Sequence, residues 1–256
     1  MFDCILYNAH PAIKMEFVTV LVSDAEVQKT LCDAVVEVAT KSITDHDFFS
    51  IGLSGGSLAK VLSHGLKDRK DIEWPKWHVF YCDERHVPFD SDDSTYAVYK
   101  RELFDHVPVD PSHLYLIDPS VSVEDAAEDY TAKIRKLYPN DLPSFDLLLL
   151  GMGPDGHTCS LFPGHPGLKE DSKLIIPITD SPKPPPSRIT MTFPVLNNAS
   201  NVFVISTGAS KADAVKGCLK PDDGKEPLPA GLVKPTNGKL LWILDEGAAS
   251  LIKSNL

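Results

Sequence analysis

The stretch FDLLLLGMGPDGHTCSLFPG, residues 145–164, runs from an unbroken apolar segment into a loop whose first glycines spell G-x-G-x-x-G. Consecutive leucines with no polar interruption suit a strand buried on both faces of a sheet, so the segment predicts an α/β layer structure with helices on either side. The glycine pattern alone also fits a dinucleotide-binding turn. That reading requires a long helix straight after the third glycine, and Pro163, Gly164, Pro166 and Gly167 interrupt it. What remains is a strand end followed by a loop that carries Asp155, His157 and Thr158. Open α/β sheets place their ligands at that end. A histidine there can act as a base near neutral pH, and an aspartate two positions away can set its tautomer.

Outward from this centre the chain alternates. Phe17 to Val22 reads as a strand, and Ser23 with Glu26 forms a capping box for a helix striped by Val27, Leu31, Val35 and Val38. FFSIGL (48–53) is a second strand, followed by SGGS and a helix with Leu58, Val61, Leu62 and Leu66 on one side. WHVFYCDE (77–84) reads as one strand ending in acids, then a polar, irregular stretch leads to a helix capped by Ser122 and Asp125. LIIPIT, the proline-dense SPKPPPSR, RITMTF, NVFVIST, a helix from about Ser210 to Leu219, and KLLWILDEG complete the order. Pro177 cannot donate to a ladder, so LIIPIT belongs at an edge or in a side ribbon. The expected fold is a three-layer, Rossmann-like α/β domain over residues 17–256 with a mostly parallel sheet and a small β ribbon. Residues 1–16 are a leader with no assigned role; Asp3 and Pro11 make them a poor signal peptide.

Composition narrows the partners. The 256 residues are 43% apolar and carry a formal charge of -11, which repels nucleic acid and anionic membrane surfaces. No apolar run approaches the ~20 residues that span a bilayer. The five cysteines, Cys4, Cys32, Cys82, Cys159 and Cys218, are odd in number and far apart, suggesting neither a disulfide framework nor a metal knuckle. A reducing, cytoplasmic location is expected.

GLSGG (52–56) matches the G-x-S-x-G elbow of α/β-hydrolases. That fold needs a late histidine and several strands ahead of the elbow, whereas here the last histidine is His165 and one clear strand precedes Ser54. A glycine turn entering a helix can instead bind a phosphate through free N–H groups and the helix dipole, with Ser54 and Ser57 hydroxyls as further donors. Packing alone is the alternative use of such a turn.

Five segments, SGGS (54–57), DERHV (83–87), GMGPDGHTCSLFPG (151–164), SPKPPPSRITMT (181–192) and TGASKADAV (207–215), together closely resemble the 6-phosphogluconolactonase family, from about residue 17 to the C-terminus. The fold of that family resembles the glucosamine-6-phosphate deaminases. In the deaminases Asp-Gly-His continues into an Asn-Glu pair, where this chain has Leu161 and Phe162. The resemblance implies hydrolysis of 6-phospho-D-glucono-1,5-lactone, with no metal and no cofactor, by a monomer or homodimer whose partner is the small sugar phosphate. A deaminase-like isomerase and a non-catalytic sugar-phosphate binder are the alternatives. His157 is the implied base, and Asp155 either holds its imidazole or binds a sugar hydroxyl. Ser54, Gly55, Gly56, Ser57, Asp83, Arg85, Arg188 and Lys211 are the implied substrate and phosphate contacts. Lys211 follows Ser210, the expected cap of its helix, where a cation opposes the dipole unless an anion lies between them. Arg85 could instead pair with Asp83 or Glu84, SPKPPPSR could be a polyproline surface loop, and Cys159 could act as a nucleophile or merely pack.

Overall fold

The computed structural model describes residues 5–6, 16–140, 142–221 and 224–252. In chain order its elements are β1 (Ile5–Leu6), β2 (Glu16–Leu21), α1 (Asp24–His46), β3 (Phe49–Leu53), α2 (Ser57–Leu66), β4 (Trp77–Tyr81), β5 (Asp83–Arg85), α3 (Thr95–Glu102), α4 (Val123–Leu137), β6 (Leu147–Gly151), β7 (Ile175–Ile178), β8 (Arg188–Met191), α5 (Phe193–Leu196), β9 (Asn201–Ser206), α6 (Ala212–Leu219) and β10 (Lys239–Asp245). The larger sheet has the order β1-β2-β10-β9-β6-β3-β4. All its pairings are parallel except the one between β1 and β2. β5, β8 and β7 form the antiparallel ribbon, with the Pro177 strand at its edge.

Side-chain alternation along the strands makes the three layers. Leu147 and Leu149 of β6 face the core shared with α1, α2 and α3, while Leu148 and Leu150 face the core built with α4 and α6. Phe203 and Ile205 of β9 repeat the first direction, and Val202 and Val204 the second. A strand buried on both sides therefore carries leucine at every one of these positions. Gly52 lies in β3 beside it. A Cβ there would come within 2.4 Å of Leu148 Cδ2 and 2.9 Å of Cys82 Sγ, so the first glycine of GLSGG serves close packing.

The helix starts follow their caps. Ser23 Oγ accepts from Glu26 N at 3.2 Å, while Glu26 reaches back to the N–H of Val22, one residue ahead of the cap. Ser122 Oγ accepts from Asp125 N at 3.1 Å. Val27, Leu31 and Val35 of the expected α1 stripe are buried, and Val38 is partly so.

Four local expectations change. WHVFYCDE is not one strand, because the chain leaves the parallel sheet after Tyr81 and residues 83–85 join the ribbon. The stretch after it contains α3, capped by Ser94 Oγ accepting from Ala97 N at 3.1 Å. Ser210 does not cap α6: Gly208, at φ 92°, opens a 3-10 turn over Ala209–Lys211, and Lys211 itself is the cap residue. The strand expected from Phe17 to Val22 ends at Leu21, and Val22 is exposed. Ile5 and Leu6, from the segment left unassigned, pair antiparallel with Val18 and Phe17; residues 1–4 and 7–15 lie outside the described residues. Among the described residues no helix is long and apolar enough to cross a membrane.

Candidate active site

Because β3, β6 and β9 are parallel neighbours, their carboxyl ends open on one edge of the sheet. The loops that follow them enclose a cavity of about 260 Å³. Ser54, Gly55, Gly56 and Ser57 enter it from the turn before α2, Asp83 and Arg85 from β5, His157 from the loop after β6, Arg188 from β8, and Lys211 from the turn before α6. Asp155 stands behind His157, with Oδ1 at 2.5 Å from Nδ1. All ten residues expected from the sequence are thus brought to one place.

The loop that carries the base is shaped by glycines. Gly153 N donates to His157 O and Gly156 N to Gly153 O, both at 2.9 Å, closing a tight turn with Gly156 at φ 79°. Gly153 leaves room for the side chains that the turn folds back. A Cβ there would sit 2.0 Å from His157 Nδ1 and 2.4 Å from Asp155 Oδ1. The Phe162 ring packs on the imidazole at a centroid distance of 4.8 Å. Burial in this company lowers the pKa of His157, against the opposing pull of the Asp155 carboxylate. Asp155 is driven down to about 2: burial acts the other way, and the hydrogen bond and charge of His157, with those of Lys183, outweigh it. A neutral imidazole whose Nδ1–H donates to Asp155 has its lone pair on Nε2, available as a base.

Cations also line the cavity. Arg85 and Arg188 are direct cross-strand partners in the β5–β8 ladder, and like charges so placed repel. Burial, then the Arg85 charge, lower the pKa of Arg188. Arg188 is 3% exposed, with Nε donating to Pro185 O at 2.9 Å and Nη2 to Lys183 O and Pro184 O at 3.0 and 2.9 Å. The proline loop therefore holds this guanidinium by its carbonyls, while Nη1 donates to Ser160 Oγ at 3.4 Å and the guanidinium carbon lies 5.9 Å from the centroid of the Phe162 ring. Arg85 makes no ion pair with Asp83 or Glu84 among the described residues. Its Nη1 donates to Asp93 O at 3.0 Å, and its Nε is buried without a hydrogen-bond partner. Glu84 instead accepts the N–H groups of Thr95 and Tyr96 at the start of α3, and burial raises its pKa to about 6.

The start of α2 is free for an anion. It has no side-chain cap and no acid in its first turn, whereas α1 and α4 have both. Its first N–H groups lack intrahelical acceptors and carry the positive end of the dipole. Ser54 Oγ is buried beside them without a partner. Lys211 Nζ donates to Met152 O at 2.9 Å, and burial, then the Lys183 charge, lower its pKa. Asp83 is 4% exposed and accepts from Ser160 Oγ at 2.8 Å, so its carboxylate is placed to hold a hydroxyl rather than a phosphate.

Lys183 is the functional candidate that sequence reasoning missed: its Nζ lies 3.1 Å from His157 Nδ1 and 3.3 Å from Asp155 Oδ1. Its only signal in the sequence was a cation inside a proline run, which reads equally as a solvated loop. Cys159 also lines the cavity, at φ 51°, but a hydrogen bond with Cys82, together with burial, raises its thiol pKa well above the ordinary range. Such a thiol is a poor nucleophile. Among the described residues no group of three or more His, Cys, Asp or Glu side chains is arranged to hold a metal ion.

Residues 22–242 match the family model described as glucosamine-6-phosphate isomerases/6-phosphogluconolactonase. A relative called 6-phosphogluconolactonase from Bos taurus is 46% identical over 250 residues, covering 95% of this chain and 96% of its own. The solved 6-phosphogluconolactonase from Trypanosoma cruzi superposes with a TM-score of 0.83 at 26% identity, covering 96% of this chain and 99% of that one. A monomeric glucosamine-6-phosphate deaminase superposes with a TM-score of 0.75 over 91% of this chain and 99% of its own. At 19% identity that last likeness speaks to the fold alone.

Proposed function

The chain belongs to the glucosamine-6-phosphate isomerase/6-phosphogluconolactonase family, and we propose that its cavity hydrolyses 6-phospho-D-glucono-1,5-lactone to 6-phosphogluconate in the oxidative pentose phosphate pathway. The observation that carries this reading is the shared cavity: an aspartate-backed imidazole faces the same space as two opposed arginines, a lysine and an uncapped helix start. The phosphoryl group is held by Arg85, Arg188, Lys211 and the amides and hydroxyls of Ser54, Gly55, Gly56 and Ser57. Asp83 takes a sugar hydroxyl. The ring carbonyl then lies toward His157.

His157 Nε2 takes a proton from water as the water oxygen bonds to C1. The tetrahedral intermediate collapses by breaking the bond from C1 to the ring oxygen, and the imidazolium returns its proton to that oxygen. The carboxylic acid product ionises, releasing one proton. A lactone is an activated ester, so a positioned base and water suffice, and the proposal includes no metal or cofactor. Asp155 holds the imidazole in the Nδ1–H tautomer. All the site residues come from one chain, so a monomer or a homodimer serves equally. A cytoplasmic location belongs to the same proposal.

The deaminase alternative lacks its acid. The position after Leu161 is Phe162, whose ring lies against the imidazole where a second carboxylate would be required. The test is a pH-stat or coupled dehydrogenase assay on freshly made lactone with the spontaneous rate subtracted. Catalysed acid release is expected. Binding of 6-phosphogluconate without any catalysed release would leave only a sugar-phosphate binder.

A further inference from the structure

Four cations face the cavity, Arg85, Lys183, Arg188 and Lys211, yet they are engaged differently. Lys211 donates to a backbone carbonyl, Arg85 and Arg188 do the same, and only Lys183 touches the base and its aspartate. Its Nζ lies 3.3 Å from each carboxylate oxygen of Asp155. The backbone beneath it is tied at both groups. Lys183 N donates to Ser181 Oγ at 3.2 Å, and Lys183 O accepts from Ser181 Oγ at 2.8 Å and from Arg188 Nη2 at 3.0 Å. Arg188 therefore fixes the backbone carbonyl of the same residue whose ammonium stands beside the imidazole.

Resting on the function proposed above, we propose that Lys183 is a positioning residue for the hydrolysis, its ammonium clamping the Asp155 carboxylate against Nδ1–H of His157 so that Nε2 keeps its lone pair. Nδ1 cannot both donate to Asp155 and accept from Lys183. The shorter contact, 2.5 Å to Asp155 against 3.1 Å to Lys183, gives Nδ1–H to the carboxylate and leaves the ammonium bonding the carboxylate oxygens.

The clamp has a chemical consequence. Lys183 offsets part of the Asp155 charge, so the imidazolium formed in the first step gains less from its aspartate than it would without the clamp. The groups acting on His157 are Asp155 from its own loop and Asp83 from β5, which favour the charged ring, and Lys183 from the proline loop, which opposes it. Phe162 adds an apolar face. An imidazolium in that company is a stronger acid, suited to protonating the departing ring oxygen.

The experiment compares wild type with Lys183→Met, Lys183→Gln and Lys183→Arg. It reads steady-state kinetics against pH, binding of 6-phosphogluconate, and the NMR titration of the His157 ring in the ligand-free protein. For the Met and Gln variants kcat is expected to fall about tenfold or more, while 6-phosphogluconate affinity changes by less than about threefold. The acid limb of kcat/KM and the ring titration should both move to higher pH, and Lys183→Arg should return them toward wild type. A ring titration that stays in place in both Met and Gln variants overturns the proposal, as does a large loss of affinity with kcat unchanged. Failure of the lactonase reading would show separately, as no catalysed hydrolysis by wild type, while the ring titration still decides whether Lys183 acts on His157.

Discussion

Arg85 of β5 and Arg188 of β8 stand directly opposite each other in an antiparallel ladder, at the wall of the cavity that also contains His157. Two guanidinium groups in that register repel unless an anion is shared between them. The Nε of Arg85, buried and unpartnered, is a donor available to that anion. Arg85→Met is therefore expected to raise KM about tenfold to a hundredfold with kcat little changed, the value of a charge-assisted hydrogen bond of about 1.5–3 kcal/mol. Without ligand, Tm should hold or rise because the repulsion is relieved, and the Tm gain from 6-phosphogluconate should shrink. A fall in kcat alone would show that Arg85 acts on the reacting atoms.

Removing the imidazole tests the base. His157→Ala should lower kcat by about 10² to 10⁴ while 6-phosphogluconate affinity stays within a few-fold. An unaltered kcat removes His157 from the mechanism.

The pH profile follows from the direction in which burial moves His157. Its pKa lies below the ordinary imidazole value, so the acid limb of kcat/KM should lie below pH 6.5. Asp155 raises that pKa; Asp155→Asn should move the limb still lower and reduce kcat, as the ring loses its charged acceptor and the amide no longer enforces the Nδ1–H tautomer. The linkage to stability has the matching sign. A histidine with a depressed folded pKa contributes fully above the unfolded value of 6.5, and the contribution is lost as pH falls through the folded pKa. A limb that moves upward in Asp155→Asn would contradict the assignment.

Gly153→Ala isolates geometry from chemistry, since no titrating group is removed. The added methyl would fall 2.0 Å from His157 Nδ1, so the ring must swing away from Asp155. We expect kcat to fall by about a hundredfold, comparable to misplacing a catalytic group by an ångström. Circular dichroism and Tm should stay near wild type because the imidazole, on a loop, can move without opening the core. Retained activity would show that the observed His157 position is not the working one.

Cys159→Ser addresses the covalent alternative. With its thiol pKa raised by Cys82 and burial, Cys159 offers almost no thiolate at neutral pH, and the serine variant should keep most of its activity. A folded but inactive Cys159→Ser would reopen nucleophilic catalysis.

Sequence alone carried the layer architecture, because the signals involved are local and periodic. Leu147 to Leu150 declare a strand buried on both faces, Ser23 and Ser122 mark helix starts, and Pro177 excludes its strand from the sheet interior. The five segments that resemble a known family also named the loops that meet at the site, which the glycine turns and the histidine by themselves left open to packing or surface roles. Only the tertiary structure decided which groups touch. The opposition of Arg85 and Arg188 depends on the register of two strands about a hundred residues apart in sequence, which no local pattern encodes. The departure of Asp83–Arg85 from the parallel sheet, the approach of Lys183 to the His157–Asp155 pair and the fit of both side chains over Gly153 have the same origin. Hydrogen bonds and charges act over a few ångströms of space, and the distance between residues along the chain says almost nothing about that separation until the sheet has brought the loops together.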